Sequence, residues 1–204
     1  PAMAMAEDTI KIGIFEPMTG ATAAGGSMEK EGFDLANELY PDVLGKKIEL
    51  VYGDNKSDRA EATLAAQSLV DKGVVAVLGS YGSGLSMAGG EVFAENEIPA
   101  LTATATNPTI TLDCEWYARI CFIDPFQGTM LARYAVKNEY KKIAIMREKD
   151  SEYSVGLVKY FQDEIATHDG YEVVALCDFM NKDEDFAALL GAVLDKKPDV
   201  IFTS

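Results

Sequence analysis

Short apolar runs typical of buried β-strands alternate with amphipathic helical segments along almost the whole sequence. The strand-like runs are continuous rather than alternating in polarity, as expected for a parallel sheet that is covered on both faces. Between two of them, four residues fall at i, i+3, i+4 and i+7 of one helix: Ala62, Ala65, Ala66 and Leu69. The predicted strands of this first run are 10–15, 48–52, 74–78 and 98–101. This alternation predicts an α/β fold with a mostly parallel sheet.

Helix ends are marked by residues with known preferences for those positions. Asp58 followed by Glu61 has the form of a capping box, and Gly73 suits the left-handed conformation that ends many helices. A helix is also predicted from about Ser27 to Leu39, after a loop at 16–26 that is rich in Gly, Thr and Ala.

A second run of the same units begins after Asp124. Helices are predicted at 127–139, at 154–168 and after Asp185, and strands at 142–146, 172–179 and 199–203. The break at ARICFIDPFQG predicts two doubly wound parallel-sheet lobes, 7–123 and 124–204. The second has only three strands and no helix over the last one, so we expect it to be incomplete: the chain is a fragment, or a complementing chain or second copy completes it.

The charge balance excludes nucleic acid as a partner. The chain has 33 Asp and Glu against 18 Lys and Arg, a formal charge of −15. No cluster of basic and aromatic residues interrupts this excess, so a phosphate backbone would be repelled. No apolar run approaches the length that spans a bilayer.

The few candidate catalytic and metal-ligating residues do not form a recognisable site. The three cysteines are too irregularly spaced for a zinc site, although Cys114 and Cys121 could bridge a short loop. The one histidine, His168, is accompanied by no nucleophile motif, and neither a dinucleotide-binding nor a Walker motif is present. We therefore expect a protein that is not an enzyme and needs no cofactor or metal.

Residues 1–6, PAMAMA, resemble the cleavage end of an export signal such as those built into expression vectors.

Two hydroxyl-rich turns follow two consecutive predicted strands. The first, 79–84, opens a helix near Ser83, and the second contains Thr102, Thr104 and Thr106. Ligands of open α/β sheets bind outside the carboxyl ends of the strands, and a helix N-terminus favours an anion. The turns therefore predict a small-molecule site. The alternatives are that Ser83 only caps its helix and that the threonines only form the end of a strand.

Seven segments in this order resemble the branched-chain amino-acid binding proteins of bacterial ABC importers: IKIGIFEPMTG, LVYGDNKSDRAEATLAAQSLV, VAVLGSYGS, TATATNP, FIDPFQG, DSEYSVGL and DEDFAALLGAVLDKKPDVIFTS. The resemblance implies the type I periplasmic-binding fold, in which an amino acid is clamped between two lobes and delivered to a membrane permease. It also implies an exported protein, periplasmic or extracellular and anchored to the membrane.

The same resemblance implies roles for five residues. The hydroxyl of Ser83 and the nearby helix amides would bind the α-carboxylate of the ligand. The carbonyl of Thr104 would accept from its ammonium group, Thr106 would serve both charged groups, and Ala105 lies between them. Tyr153 would close over the ligand from the second lobe.

Two departures from the family pattern bear on the ligand. The family's aromatic residue in the first loop is replaced by Gly25, which predicts a larger or differently shaped pocket. Its acidic partner for the ammonium group belongs beyond Ser204, so we expect weak ligand binding by these residues alone. A ligand-sensing domain with the same fold is an alternative function, and a Rossmann-like enzyme is a third.

Overall fold

The computed structural model of the chain describes residues 9–204. They form two compact units: one holds the described residues up to Ala105 together with Thr109–Cys121, and the other holds Thr106–Pro108 together with Phe122–Ser204. The lobe boundaries inferred from the sequence, 7–123 and 124–204, stay a prediction. The assignment of residues 1–6 to an export signal lies outside the described residues.

The first unit is built on a six-stranded sheet flanked by helices. Its strands are β1 (Thr9–Glu16), β2 (Asp42–Val43), β3 (Lys46–Asp54), β4 (Ala76–Gly79), β5 (Ala100–Thr102) and β6 (Tyr117–Arg119). Its helices are α1 (Ala23–Leu39), α2 (Arg59–Asp71) and α3 (Ser83–Glu95), and a short 3-10 helix, Pro108–Ile110, follows β5. The strand order is β2-β3-β1-β4-β5-β6. Every neighbouring pair is parallel except β2 with β3.

The core of the first unit lies between this sheet and its helices. The four residues predicted to line one face of α2 are all buried, which confirms that periodicity. Phe15 and Phe93 are fully buried and meet edge to face, with ring centroids 5.4 Å apart. Asp58 caps α2 as predicted, because its carboxylate accepts from the amides of Ala60 and Glu61.

The second unit has a three-stranded parallel sheet in the order β8-β7-β9. Its elements are α4 (Asp124–Lys137), β7 (Lys142–Glu148), α5 (Glu152–Ile165), β8 (Glu172–Phe179), α6 (Ala187–Leu194) and β9 (Val200–Thr203). Phe161 of α5 stacks on Phe202 of β9 with ring centroids 4.3 Å apart. The predicted α/β class with mostly parallel sheets is confirmed in both units.

Several predicted boundaries are wrong by a few residues. Helix α1 begins at Ala23 rather than near Ser27, so Gly25 and Gly26 lie inside a helix instead of a loop. A Cβ at Gly26 would lie 2.4 Å from the carbonyl oxygen of Pro17, so this glycine serves a close approach. Helices α4 and α5 each begin and end two or three residues earlier than predicted, since Pro125 and the capping Ser151 start them.

Two short strands, β2 and β6, were not predicted, because two or three residues carry too little periodicity to recognise. Strands β4 and β5 lie one or two residues later than predicted, so that β4 ends at Gly79. Of the residues predicted to line the last helix, Val193 is fully buried and Leu190 is 38% exposed.

No disulfide joins any of the three cysteines, all of which lie within the described part of the chain. Between residues 9 and 204, no helix has the length and apolar character needed to cross a bilayer.

Candidate functional site

Helix α3 presents its N-terminus directly after strand β4. Gly82 is its N-cap, with a φ of 95° that suits glycine, and Ser83 is its first residue. Ser83 therefore does not occupy the cap position, contrary to the alternative that it only caps the helix. Its side chain is buried. The first hydrogen bond of the helix runs from Ser86 N to Gly82 O at 3.0 Å, and the amides before it give this end its preference for an anion.

The turn between β4 and α3 is held by side chains from α3, β5, β6 and the loop after β3. The carbonyl of Ser80 accepts from Ser86 Oγ at 2.9 Å and from Thr102 Oγ1 at 3.1 Å. The hydroxyl of Ser80 accepts from Asn55 Nδ2 at 2.9 Å. The hydroxyl of Tyr117, which is buried, donates to Gly79 O at 2.6 Å. These bonds fix the position from which α3 starts.

Two of the predicted site residues, Thr104 and Ala105, lie after β5 within the first unit. Thr104 is exposed, and its hydroxyl donates to Glu29 Oε1. Ala105 is buried and already paired through its backbone: its N–H donates to Thr102 Oγ1 at 3.0 Å, and its carbonyl accepts from Arg119 Nη1 at 2.8 Å. The hydroxyl of Thr104 is therefore engaged within the first unit, and the predicted role of its carbonyl towards a ligand ammonium stays a prediction.

Thr106 belongs to the second unit and carries an unsatisfied hydroxyl. It is 7% exposed, and its Oγ1 is buried with no hydrogen-bond partner within residues 9–204. Its carbonyl accepts from the amide of Asp124 at 3.0 Å. The next residue, Asn107, donates from Nδ2 to Glu152 O at 3.0 Å. The backbone around Thr106 is thus fixed while its hydroxyl lacks the partner that a buried polar group normally has.

Tyr153 lies in the first turn of α5 and is half-buried. Its hydroxyl accepts from Gln127 Nε2 of α4 at 2.8 Å. This bond orients the ring within the second unit. The predicted ligand contact of Tyr153 stays a prediction.

Two carboxyl groups that were not among the predicted site residues lie next to both turns of the first unit. Glu16, at the end of β1, is fully buried, and its Oε2 accepts from Tyr81 N at 2.7 Å. Burial, followed by the charge of Glu29, raises the pKa of Glu16 to about 9. Burial likewise raises the pKa of Glu29, although the hydrogen bond from Thr104 opposes this. Both shifts favour the protonated forms of these carboxyl groups.

The ring of Tyr81 lies against Gly25 of α1. A Cβ at residue 25 would lie 2.5 Å from Tyr81 Cζ, so only glycine leaves room for the ring. The sequence predicted a larger or differently shaped pocket at Gly25. The ring of Tyr81, from the turn after β4, occupies the space beside this residue. Tyr81 is 37% exposed.

Sequence reasoning missed Glu16 and Tyr81, although one signal was available for Glu16. It is a charged residue immediately after an apolar strand, which is the criterion that identified the two hydroxyl-rich turns. Tyr81 gave no such signal, because its contact with Gly25 joins residues that are distant in sequence.

The model of a protein family described as periplasmic binding protein matches residues 9–204. The chain is 32% identical over 204 residues to the Leu/Ile/Val-binding protein BraC3 of Rhizobium johnstonii; the match covers 97% of this chain and 55% of that relative. The chain therefore spans about half the length of the curated relatives that it matches.

Solved structures show the same similarity. The leucine binding protein LivK of Thermotoga maritima matches with a TM-score of 0.91 and 36% identity, over 95% of this chain and 55% of that one. A solute binding protein of an ABC transporter from Rhodopseudomonas palustris, in complex with 3,4-dihydroxybenzoic acid, matches with a TM-score of 0.88 and 26% identity, over 97% of this chain and 55% of that one.

Proposed function

This chain belongs to the periplasmic binding protein family, and we propose that it is part of a non-enzymatic solute-binding protein that delivers a small carboxylate ligand, such as a branched-chain amino acid, to the permease of an ABC importer. The observation that carries the proposal is the buried hydroxyl of Thr106, which has no partner within residues 9–204. An unsatisfied buried hydroxyl costs about 1–3 kcal/mol, and a ligand that bonds to it removes that cost.

The first unit would bind the carboxylate group of the ligand. Ser83 and the amides that follow it form the N-terminus of α3, which favours a negative charge without a basic side chain. The carbonyl of Thr104 would accept from an ammonium group, because the hydroxyl of the same residue is engaged with Glu29. Neutral donors and acceptors of this kind suit a zwitterion. Contacts of the ligand with Ala105 and Tyr153 are proposed because of the family resemblance alone.

The names of the relatives support an amino-acid ligand. BraC3 is named a Leu/Ile/Val-binding protein and LivK a leucine binding protein. A second candidate is an aromatic carboxylic acid. It is favoured by the half-exposed ring of Tyr81 beside Gly25, which offers a flat apolar surface, and by the dihydroxybenzoate bound to the protein from Rhodopseudomonas palustris.

Calorimetry of the full-length gene product with L-leucine, L-isoleucine, L-valine and 3,4-dihydroxybenzoate tests the proposal. Heat of binding with one of the amino acids supports the first candidate, and heat with dihydroxybenzoate alone supports the second. The absence of heat with all four contradicts the proposed function.

The alternative of a ligand-sensing domain uses the same binding residues and differs in its partner. Permease and ATPase genes beside the gene of this chain would favour transport, and a kinase or cyclase domain on the same polypeptide would favour sensing. In the transport proposal the protein is exported and is either periplasmic or anchored to the outer face of a membrane.

A further inference from the structure

Glu16 and Glu29 form a carboxyl pair that connects the two turns of the first unit. Glu16 Oε2 accepts from the amide of Tyr81, in the turn after β4, at 2.7 Å. Glu29 Oε1 accepts from the hydroxyl of Thr104, in the turn after β5. The charge of Glu29 raises the pKa of Glu16, which indicates that the two carboxyl groups lie close to each other.

Two buried carboxyl groups that lie close together favour a proton on one of them. Glu16 Oε1 and Glu29 Oε2 are both buried, and neither receives a hydrogen bond from a donor within residues 9–204. An ionised carboxylate only accepts hydrogen bonds, so two ionised groups in contact would repel each other. With one proton between them, the same groups attract each other and leave an oxygen of each group for Tyr81 and Thr104.

We propose that Glu16 and Glu29 hold one shared proton, and that this protonated pair positions the turns that carry Tyr81 and Thr104 for ligand binding. The ligand-binding part of this inference rests on the proposed function. Loss of the proton would place a second negative charge beside both turns, which would separate the carboxyl groups and disfavour a carboxylate ligand.

The surroundings of the pair favour the protonated form. Burial and the charge of Glu29 raise the pKa of Glu16 to about 9. Tyr117 of β6 is a further titratable group whose charge would interact with the pair, and burial raises its pKa, so it stays neutral over the same range. The groups that face the pair from the two turns, an amide and a threonine hydroxyl, do not titrate.

Carbon NMR of this chain labelled at the glutamate carboxyl carbons, recorded between about pH 4 and 10, tests the shared proton. We expect one glutamate carboxyl to titrate above about pH 7 and the amide signals of Tyr81 and Thr104 to move with the same midpoint. The proposal is overturned if every glutamate titrates below about pH 6, or if these two amides do not follow the high midpoint. The wild-type titration decides this without any variant.

Glu29→Gln removes the shared proton while keeping the size of the side chain. We expect the midpoint of Glu16 to fall by more than about one pH unit and the Thr104 amide to stop following it. Glu31→Gln changes the same charge at an exposed position of the same helix and should leave the midpoint of Glu16 unchanged. Equal effects of the two substitutions would overturn the pairing.

Calorimetry of the full-length gene product with L-leucine and with 3,4-dihydroxybenzoate, at pH values below and above the midpoint, tests the positioning role. Affinity should fall by up to about tenfold for each pH unit above the midpoint, and Glu29→Gln should move this dependence to the lower midpoint of Glu16. Binding with the same pH dependence in Glu29→Gln overturns the positioning role. Absence of binding to both ligands at every pH contradicts the proposed function instead, and the NMR titration then supports or overturns the shared proton independently.

Discussion

The ring of Tyr81 takes the place of a side chain at residue 25. A Cβ on Gly25 would lie between 2.5 and 2.7 Å from three carbon atoms of that ring, a distance that real Cβ atoms essentially never show. The contact joins the first turn of α1 to the turn between β4 and α3. Gly25 is therefore required for the position of Tyr81, and not for flexibility of a loop.

Gly25→Ala should destabilise the protein by about 1–3 kcal/mol, because the ring of Tyr81 must move or the helix must shift. Chemical denaturation followed by circular dichroism measures this change. Adding Tyr81→Ala to Gly25→Ala should remove the destabilisation that Gly25→Ala causes on its own, because the two residues are in direct contact.

Gly32→Ala is the matched control for Gly25→Ala. Gly32 lies in the same helix, and nothing lies within 4 Å of a Cβ built there. Alanine at this exposed helical position should stabilise the protein by roughly 0.5–1 kcal/mol. If Gly25→Ala stabilises the protein to the same extent as Gly32→Ala, the inference that Tyr81 packs closely against Gly25 is wrong.

Asp58→Ala should lower the stability of the protein by about 0.5–2 kcal/mol, because the carboxylate of Asp58 accepts from two amides at the start of α2. Asp58→Asn keeps an acceptor at the same position and should cost much less. Thermal or denaturant unfolding of the two variants compares them. An equal loss in both would mean that charge, and not the cap hydrogen bond, stabilises this end of the helix.

Local signals in the sequence were enough to predict most elements of the fold, although not the short strands β2 and β6. The capping residue Asp58 and the apolar stripe of α2 identify that helix without any reference to the rest of the chain. The same holds for strand β8, whose bounds, Glu172–Phe179, were predicted correctly. Such signals depend on residues that are near each other in sequence, so a reading of the sequence can recover them.

The features that the sequence did not reveal depend on contacts between distant residues. Glycines at 25 and 26 look like a flexible loop, yet each is a helical residue that another segment approaches closely. Glu16 follows an apolar strand, but only the structure shows that it is buried and that Glu29 and Tyr81 lie beside it. In both cases the structure is determined by contacts between residues that are distant in sequence, and not by local preferences.

Thr106→Val should weaken ligand binding without weakening the fold. The hydroxyl of Thr106 is buried and has no partner within the described residues, so its removal in the absence of ligand should leave the stability unchanged or raise it by about 1 kcal/mol. In the full-length gene product the affinity should fall by about 1–3 kcal/mol, the cost of a lost buried hydrogen bond. Calorimetry and denaturant unfolding measure the two effects separately.

Thr63→Val provides the comparison for Thr106→Val, because Thr63 is exposed on α2 and bonds only within its own helix turn. It should leave the affinity unchanged. An unchanged dissociation constant in Thr106→Val as well would mean that the hydroxyl of Thr106 does not contact the ligand.

The carboxyl pair should make the protein more stable as the pH falls from about 9 towards 5. The pKa of Glu16 is raised to about 9 in the folded chain, from a usual value of 4.5, so the folded chain retains a proton that the unfolded chain releases. This contribution to stability is fully present below the pKa that Glu16 has in the unfolded chain. It is lost as the pH rises through the pKa that Glu16 has in the folded chain. The expected slope is about 1.4 kcal/mol per pH unit for one proton. Asp34, Asp54, Glu164 and Asp178 have lowered pKa values, so they affect stability only under more acidic conditions.

Glu16→Gln should remove this slope while keeping the size of the side chain, and Glu31→Gln, on the exposed face of α1, should keep it. Denaturant unfolding of the three proteins at intervals between pH 5 and 9 measures the slopes directly. The slope depends on the difference in bound protons between the folded and unfolded chains, so it does not require a ligand. If the stability of the wild-type chain and of Glu16→Gln changes in parallel over this range, Glu16 is ionised in the folded protein and the pair holds no proton.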